Sequence, residues 1–198
     1  MHARFYAVPL SALILIFTAA AAFSQAAPAA SESAPPLEAG GGFAVYGVSQ
    51  NGTNRAFTGG AAWVDWKPSM LQQRLPGLSV EGEFRSISSS VGKDKPGTTR
   101  MATAGGGVLY AWDRFRSLHP YVKLLVADGW IHFYDPGNPS YVSDSRVIMI
   151  PGGGVECPVT PYLRVRAGYE LQPWPAFSAF AQGLTLGVTL DFRGLVQR

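Results

Sequence analysis

The stretch "GLTLGVTLDF", Gly183 to Phe192, decides how this chain folds. Leu184, Leu186, Val188, Leu190 and Phe192 are apolar, and Thr185, Gly187, Thr189 and Asp191 stand between them. This strict period of two is that of a β-strand with one apolar and one polar face. Which solvent the apolar face meets is the question, because a protein core and a lipid bilayer both accept it.

The same alternation recurs upstream. "LSVEGEF" sets Leu78, Val80, Gly82 and Phe84 against Ser79, Glu81, Glu83 and, one residue on, Arg85. "YLRVRAGYEL" sets Leu163, Val165, Ala167, Tyr169 and Leu171 against Tyr162, Arg164, Arg166, Gly168 and Glu170, and "YVKLLVAD" sets Val122, Leu124 and Val126 against Lys123. Parts of "RAFTGGAAWVDW", "TRMATAGGGVLYAW" and "RVIMIPGGGVEC" read as strands with less regular faces. The only helical candidate, "SMLQQRL" (69 to 75), is long enough for one or two turns.

The strands come in repeated pairs. "GGGVLYAW" (105 to 112) precedes "PYVKLLV" (120 to 126), and "GGGVECPV" (152 to 159) precedes "PYLRVRA" (161 to 167). "GGAAWVDW" before "PGLSVEGEF" is a weaker third copy. A repeated strand–turn–strand unit is a hairpin. Three hairpins, with "FAVYGVS" before and "LTLGVTLDF" after, give eight strands, the smallest even number found in outer-membrane barrels. Connections alternate as well. The turns at 67–76, 113–119 and 157–160 are short, whereas the links near 50–54, 88–97, 129–145 and 172–182 carry Gly, Pro, Ser, Asn and Asp or aromatics. The expected fold is an all-β, eight-stranded, antiparallel up-and-down transmembrane β-barrel over residues 43–193, followed by a short tail at 194–198.

Residues 1–26 read as a secretory signal peptide: His2 and Arg4, an apolar run, then small residues with a cut near Ala26. An N-terminal anchor helix is the alternative. No cysteine follows the run directly, which argues against a lipid-anchored lipoprotein. Residues 27–42 are rich in Ala, Pro, Ser and Gly and are expected to be a disordered lead-in. After residue 26 no apolar run reaches the length of a transmembrane helix, which leaves strands as the only spanning elements. The lone cysteine, Cys157, excludes an intrachain disulfide. The formal net charge of +3 falls to about +2 without Arg4, too small a surplus to point to nucleic acid.

Four features favour lipid over water. The polar faces carry charges of both signs, Glu81, Glu83, Arg85, Lys123, Glu156, Arg164, Arg166, Glu170 and Asp191. The interior of an eight-stranded barrel is just wide enough to be filled by side chains, so these charges are expected to pair inside it. Gly, Ala and Thr on the same faces suit a narrow lumen. Trp63, Trp66, Tyr110, Trp112, Tyr121, Trp130, Phe133, Tyr134, Tyr169 and Trp174 gather near strand ends, as interfacial girdles or as ordinary core aromatics. The leader opens the route to the periplasm.

On these residues the chain resembles the small OmpA-like and OmpX-like outer-membrane β-barrels of Gram-negative bacteria. "GGGVLYAWDRFRSLHPYVKLLVADG" is similar to the recurrent hairpin of that family. The resemblance implies a cell outer membrane location, outer-membrane lipid as surroundings, and periplasmic chaperones and the barrel assembly machinery as partners. It also implies a C-terminal assembly signal, carried here by Thr185, Gly187, Leu190 and Phe192. Many such barrels end at the aromatic residue, whereas here "RGLVQR" follows, too short for a peptidoglycan-binding domain.

Little chemistry is legible. His2, His119 and His132 show no metal-ligand spacing, so no metal or cofactor is expected. The two "GGG" runs lie in strands and do not lead into a helix, which argues against a phosphate loop. Asn51-Gly52-Thr53 has the form of a glycosylation acceptor and the composition of a tight turn. The expected function is that of a structural envelope barrel, not an enzyme, with a filled lumen and exposed loops available for adhesion or ligand contact. A soluble barrel around a small apolar ligand is the second reading and requires Leu184, Leu186, Val188 and Leu190 to point inward. A lipid A-modifying enzyme, with His132 beside Ser140 or Ser143, is the third.

Overall fold

In a computed structural model of the chain, residues 37–50, 53–91, 97–112, 117–135, 138–175 and 178–192 are described. The proposed leader, the lead-in as far as residue 36 and the tail at 194–198 lie outside them. The described residues form β1 (Leu37–Gln50), β2 (Thr53–Trp66), a short helix α1 (Ser69–Arg74), β3 (Leu78–Val91), β4 (Gly97–Ala111), β5 (His119–Asp135), β6 (Asn138–Thr160), β7 (Leu163–Trp174) and β8 (Ala179–Asp191). Each strand pairs antiparallel with the next and β8 pairs with β1, so eight strands close a barrel in sequence order.

The register fixes the shape. A line of facing residues runs from Ala44 through Gly59, Ile87 and Met101 to Ile131 on β5. Taken the other way round, it runs from Ala44 through Thr185, Gly168 and Gly154 to Tyr121 on the same strand. The two ends, 131 and 121, differ by ten residues. A stagger of that size over eight strands inclines them at roughly 40° to the barrel axis.

Several elements extend beyond the sequence expectation. β1 starts at Leu37, not Phe43, because Glu38 to Gly42 are held by ladders to both β2 and β8. A glycine run without a side-chain period still forms strand when backbone partners stand on either side. The expected loop at 129–145 is mostly a two-stranded ribbon, with Trp130 opposite Ser145 and Phe133 opposite Val142. Residues 88–91, 172–174 and 179–182 are likewise strand, as are 157–160, and the chain reverses at 161–162 instead.

Side chains sort by face. On β8, Leu184 (62% exposed), Leu186 (61%), Val188 and Leu190 point outward, while Thr185, Thr189 and Asp191 are buried. The soluble-barrel alternative needed those leucines inside, and the structure overturns it. Phe43, Val45, Val80, Phe84, Val108, Val122, Leu124, Val126, Met149 and Phe180 extend the exposed apolar surface around the barrel. From Phe180 to Leu190, ten residue steps at ~3.3 Å and the tilt above give a belt ~25 Å tall.

The interior has two layers. On β1, β3 and β7 the buried charges lie toward the end where α1 and the turns lie and the buried apolar residues toward the opposite, ribbon end, while Trp63 and a small cluster of Leu109, Ala111 and Tyr121 are buried at the α1 end. Thus β3 places Glu81, Glu83 and Arg85 before Ile87; β7 places Arg166 and Glu170 before Trp174; β1 places Glu38 before Ala44, Tyr46 and Val48. Phe57, Met101, Leu125, Ala127, Ile131, Ile148, Ile150, Ala179 and Ala181 complete the apolar layer, with Thr99, Thr103 and Gln172 as buried polar residues beside it.

The aromatics divide between the two faces. Trp66 and Trp112 are exposed near the α1 end, where the Trp112 ring meets Tyr110 edge-on at 5.0 Å, as an interfacial girdle requires. Trp63, Tyr121 and Trp174 are buried inside and belong to the core. Glycine makes room for such rings. A Cβ at Gly129 would collide with the Trp174 indole, and one at Gly183, directly across the β1–β8 ladder, with the Tyr46 ring, so both rings sit where they do only because those side chains are missing.

Candidate functional site

The charged layer is built by strand alternation. β3 is polar at every second residue, so Ser79, Glu81, Glu83 and Arg85 all enter the lumen. β7 contributes Arg164, Arg166 and Glu170, β5 contributes Lys123, β6 contributes Glu156, and β8 contributes Asp191. All nine charges singled out in the sequence make ion pairs.

Arg166 is at the centre. Its Nη2 donates to Asp65 Oδ2 at 2.5 Å, its Nη1 to Glu81 Oε2 at 2.6 Å and its Nε to Glu156 Oε1 at 2.6 Å. Its guanidinium carbon also lies 5.0 Å from the Trp63 ring centre and 5.2 Å from that of Tyr121. One cation thus meets three carboxylates in its plane and two ring faces, an arrangement that only the planar, five-donor guanidinium can fill. Lys123 joins this group to a second one. Its Nζ contacts Glu81 at 2.8 Å, Glu170 at 2.7 Å and also Glu83. Arg85 pairs with Glu83 and Glu170 and lies 4.9 Å from the Tyr46 ring centre, and Tyr46 donates its hydroxyl to Glu170 Oε2 at 3.0 Å.

Nearer the α1 end, Glu38 binds Lys67 Nζ at 2.6 Å and Arg164 Nη1 at 2.9 Å. Arg164 reaches on to Glu156 and Asp191, both at 3.5 Å. These pairs connect β1, β2, β3, β5, β6, β7 and β8 through the middle of the barrel. Buried charge is tolerated only when paired and hydrogen-bonded; the charges of this lattice are all paired, and Asp65 Oδ1 and Arg85 Nε are left without a hydrogen bond among the described residues.

Sequence reasoning missed Glu38, Asp65 and Lys67. Glu38 precedes a glycine run that shows no period. Asp65 follows Trp63 and Val64, and the large apolar residue inside hides the inward face of β2. Trp63 supports the layer in turn, donating Nε1–H to Thr189 Oγ1 at 3.0 Å.

Of the four assembly-signal residues, Thr185 is buried, Gly187 faces both Gly42 and Arg166, and Leu190 is exposed. The half-buried Phe192 donates its N–H to the Leu37 carbonyl at 3.3 Å, beside the β1–β8 closure. His132 is half-buried and stands opposite Ser143 in the β5–β6 ladder; the side chains of Ser140 and Ser143 lie outside the described residues. Among the described residues no group of three or more His, Cys, Asp or Glu is arranged to hold a metal ion, and no helix is long and apolar enough to cross a membrane.

No protein-family model matches the chain, and no curated protein matches it. Solved structures do. Neisserial surface protein A aligns over 81% of this chain and 100% of its own length, with a TM-score of 0.66 and 15% identity. Ail, the attachment invasion locus protein of Yersinia pestis, aligns over 80% and 99%, with a TM-score of 0.60 and 16% identity. The outer membrane protein OprG from Pseudomonas aeruginosa aligns over 81% and 97%, with a TM-score of 0.52 and 11% identity. At such identities the likeness is one of architecture: this chain has the fold of the small, OmpA-like and OmpX-like eight-stranded outer-membrane β-barrels.

Proposed function

We propose that this protein is an integral barrel of the bacterial outer membrane with no catalytic role. It would be inserted from the periplasm with the α1 end inward and the β5–β6 ribbon outward. The observation that carries the reading is the inversion of faces: a ring of leucine, valine and phenylalanine turned outward around a core of paired charges. Water tolerates no such belt on a monomer, because contiguous exposed apolar surface of this extent associates. Lipid requires it. The lumen is closed to solutes in this reading, since the ion pairs cross it and the apolar layer stops the outer half. The barrel is then structural, and any adhesion or ligand contact belongs to the segments beyond the belt at the ribbon end.

Two measurements test this. The folded protein should sediment with envelope membranes and change gel mobility on boiling; recovery in the soluble periplasm overturns the proposal. In planar bilayers it should give no large, stable openings, and a steady open conductance would refute the closed lumen.

Assembly is part of the same proposal. Thr185, Gly187, Leu190 and Phe192 serve as the address read by the assembly machinery after periplasmic chaperones deliver the chain. Phe192→Asp should reduce the heat-modifiable form in membranes several-fold. Unchanged membrane levels of that variant would remove the assignment.

A further inference from the structure

The β6–β7 ladder stops early. The two strands pair from Thr160 and Leu163 as far as Gly152 and Glu170. Both then continue: β6 keeps its ladder with β5 through Pro151, Ile150, Met149 and Ile148, and β7 keeps its ladder with β8 from Leu171 to Trp174. Extending the register would set Pro151 against Leu171 and Met149 against Pro173. A proline thus stands on each facing edge. Proline has no N–H to give to a ladder and in sheets is confined to edges and bulges, which accounts for the break.

The position of this seam matters. Met149 and Val147 beside it are exposed and belong to the apolar belt. Behind it stand Ile148, Ile150 and Trp174, whose indole reaches past β6 to Gly129 on β5. Gln172 also points inward here, 1% exposed, and its amide nitrogen has no hydrogen-bond partner. A buried amide donor without an acceptor is costly, and so are unpaired backbone groups at membrane depth. An occupant that suits the apolar edges and the Gln172 amide has a long apolar body and an uncharged hydrogen-bond acceptor oxygen at one end.

We propose that the β6–β7 seam binds a long-chain fatty acid, in its neutral protonated form, from the outer leaflet. Its chain lies between the two strand edges against Trp174, and its carbonyl oxygen accepts a hydrogen bond from Gln172 Nε2. The inference rests on the membrane reading above and assigns a ligand site to that barrel. Continuity of the seam with the lipid-facing belt supplies the access route.

The test uses the full protein in liposomes with dibrominated stearic acid, whose bromines quench indole on contact. Trp174 emission is taken as the difference between the wild type and Trp174→Phe. Quenching should saturate at a low mole fraction of the acid. It should weaken about tenfold in Gln172→Leu, and be lost in Pro151→Val/Pro173→Val, which restores both N–H donors and lets the ladder close. Quenching that rises linearly with mole fraction, equally in the closed variant, overturns the site. Saturable quenching by a dibrominated phospholipid but not by the acid overturns the choice of ligand. Flotation of the same liposomes and gel mobility on boiling report separately on the membrane reading, so a barrel that floats and shifts but shows no saturable quenching fails this inference alone.

Discussion

Arg166→Met should be among the most damaging single substitutions inside the barrel. The guanidinium is 4% exposed and holds Asp65, Glu81 and Glu156 at once. Methionine fills much of the volume but leaves three buried carboxylates around an apolar chain. Removing one partner of a buried ion pair costs about 3–5 kcal/mol, and here the remaining carboxylates also repel one another. Urea unfolding of the barrel refolded in micelles, followed by gel mobility, should show a large drop in midpoint or no folded band at all. If the cause is uncompensated charge and not lost packing, adding Asp65→Asn and Glu156→Gln to Arg166→Met should restore much of the loss. A single variant as stable as the wild type would mean that the lattice contributes nothing to the fold.

Leu184→Arg tests the opposite face. Leu184 lies near the middle of the exposed belt and packs against no core. In water an exposed leucine changed to arginine alters stability by no more than about 0.5 kcal/mol. At the bilayer midplane the same change costs about 2–4 kcal/mol, falling toward zero near the interfaces. Folding free energies measured in liposomes should therefore drop for Leu184→Arg and change far less for an arginine at Phe180, at the ribbon edge of the belt. Equal, small effects at both positions would place the belt in water.

The barrel was legible where polar and apolar residues alternate. Ser79 to Arg85, Leu163 to Leu171 and Leu184 to Phe192 show both faces in the sequence, and the structure turns them as the pattern requires. The closed strand order followed from counting hairpins. The apolar layer was illegible because it removes the alternation that reveals a strand's faces. Val147 points out and Ile148 points in, yet in "VIMI" nothing distinguishes them. The same loss of contrast concealed Trp63 and Trp174, which sequence places equally well on a membrane rim. The long ribbon was hidden for another reason: Gly, Pro, Asn and Asp between 129 and 145 are turn formers, and only the facing strand reveals that they are paired. Of the ionic lattice, the nine most regularly spaced charges were visible, whereas Glu38 and Asp65 required the register of β1 against β2 and β8.

The lattice has a consequence for the growth of barrels by hairpin duplication, which the repeats in this chain invite. A further hairpin would make ten strands, and diameter rises roughly in proportion to strand number. Arg166, Lys123 and Arg85 already reach across the lumen to carboxylates on other strands at contact distance. A wider ring would draw those partners apart and leave charges alone in its interior. The paired side chains therefore act as a gauge of circumference, tying this sequence to eight strands and penalising any copy of itself that gains one hairpin.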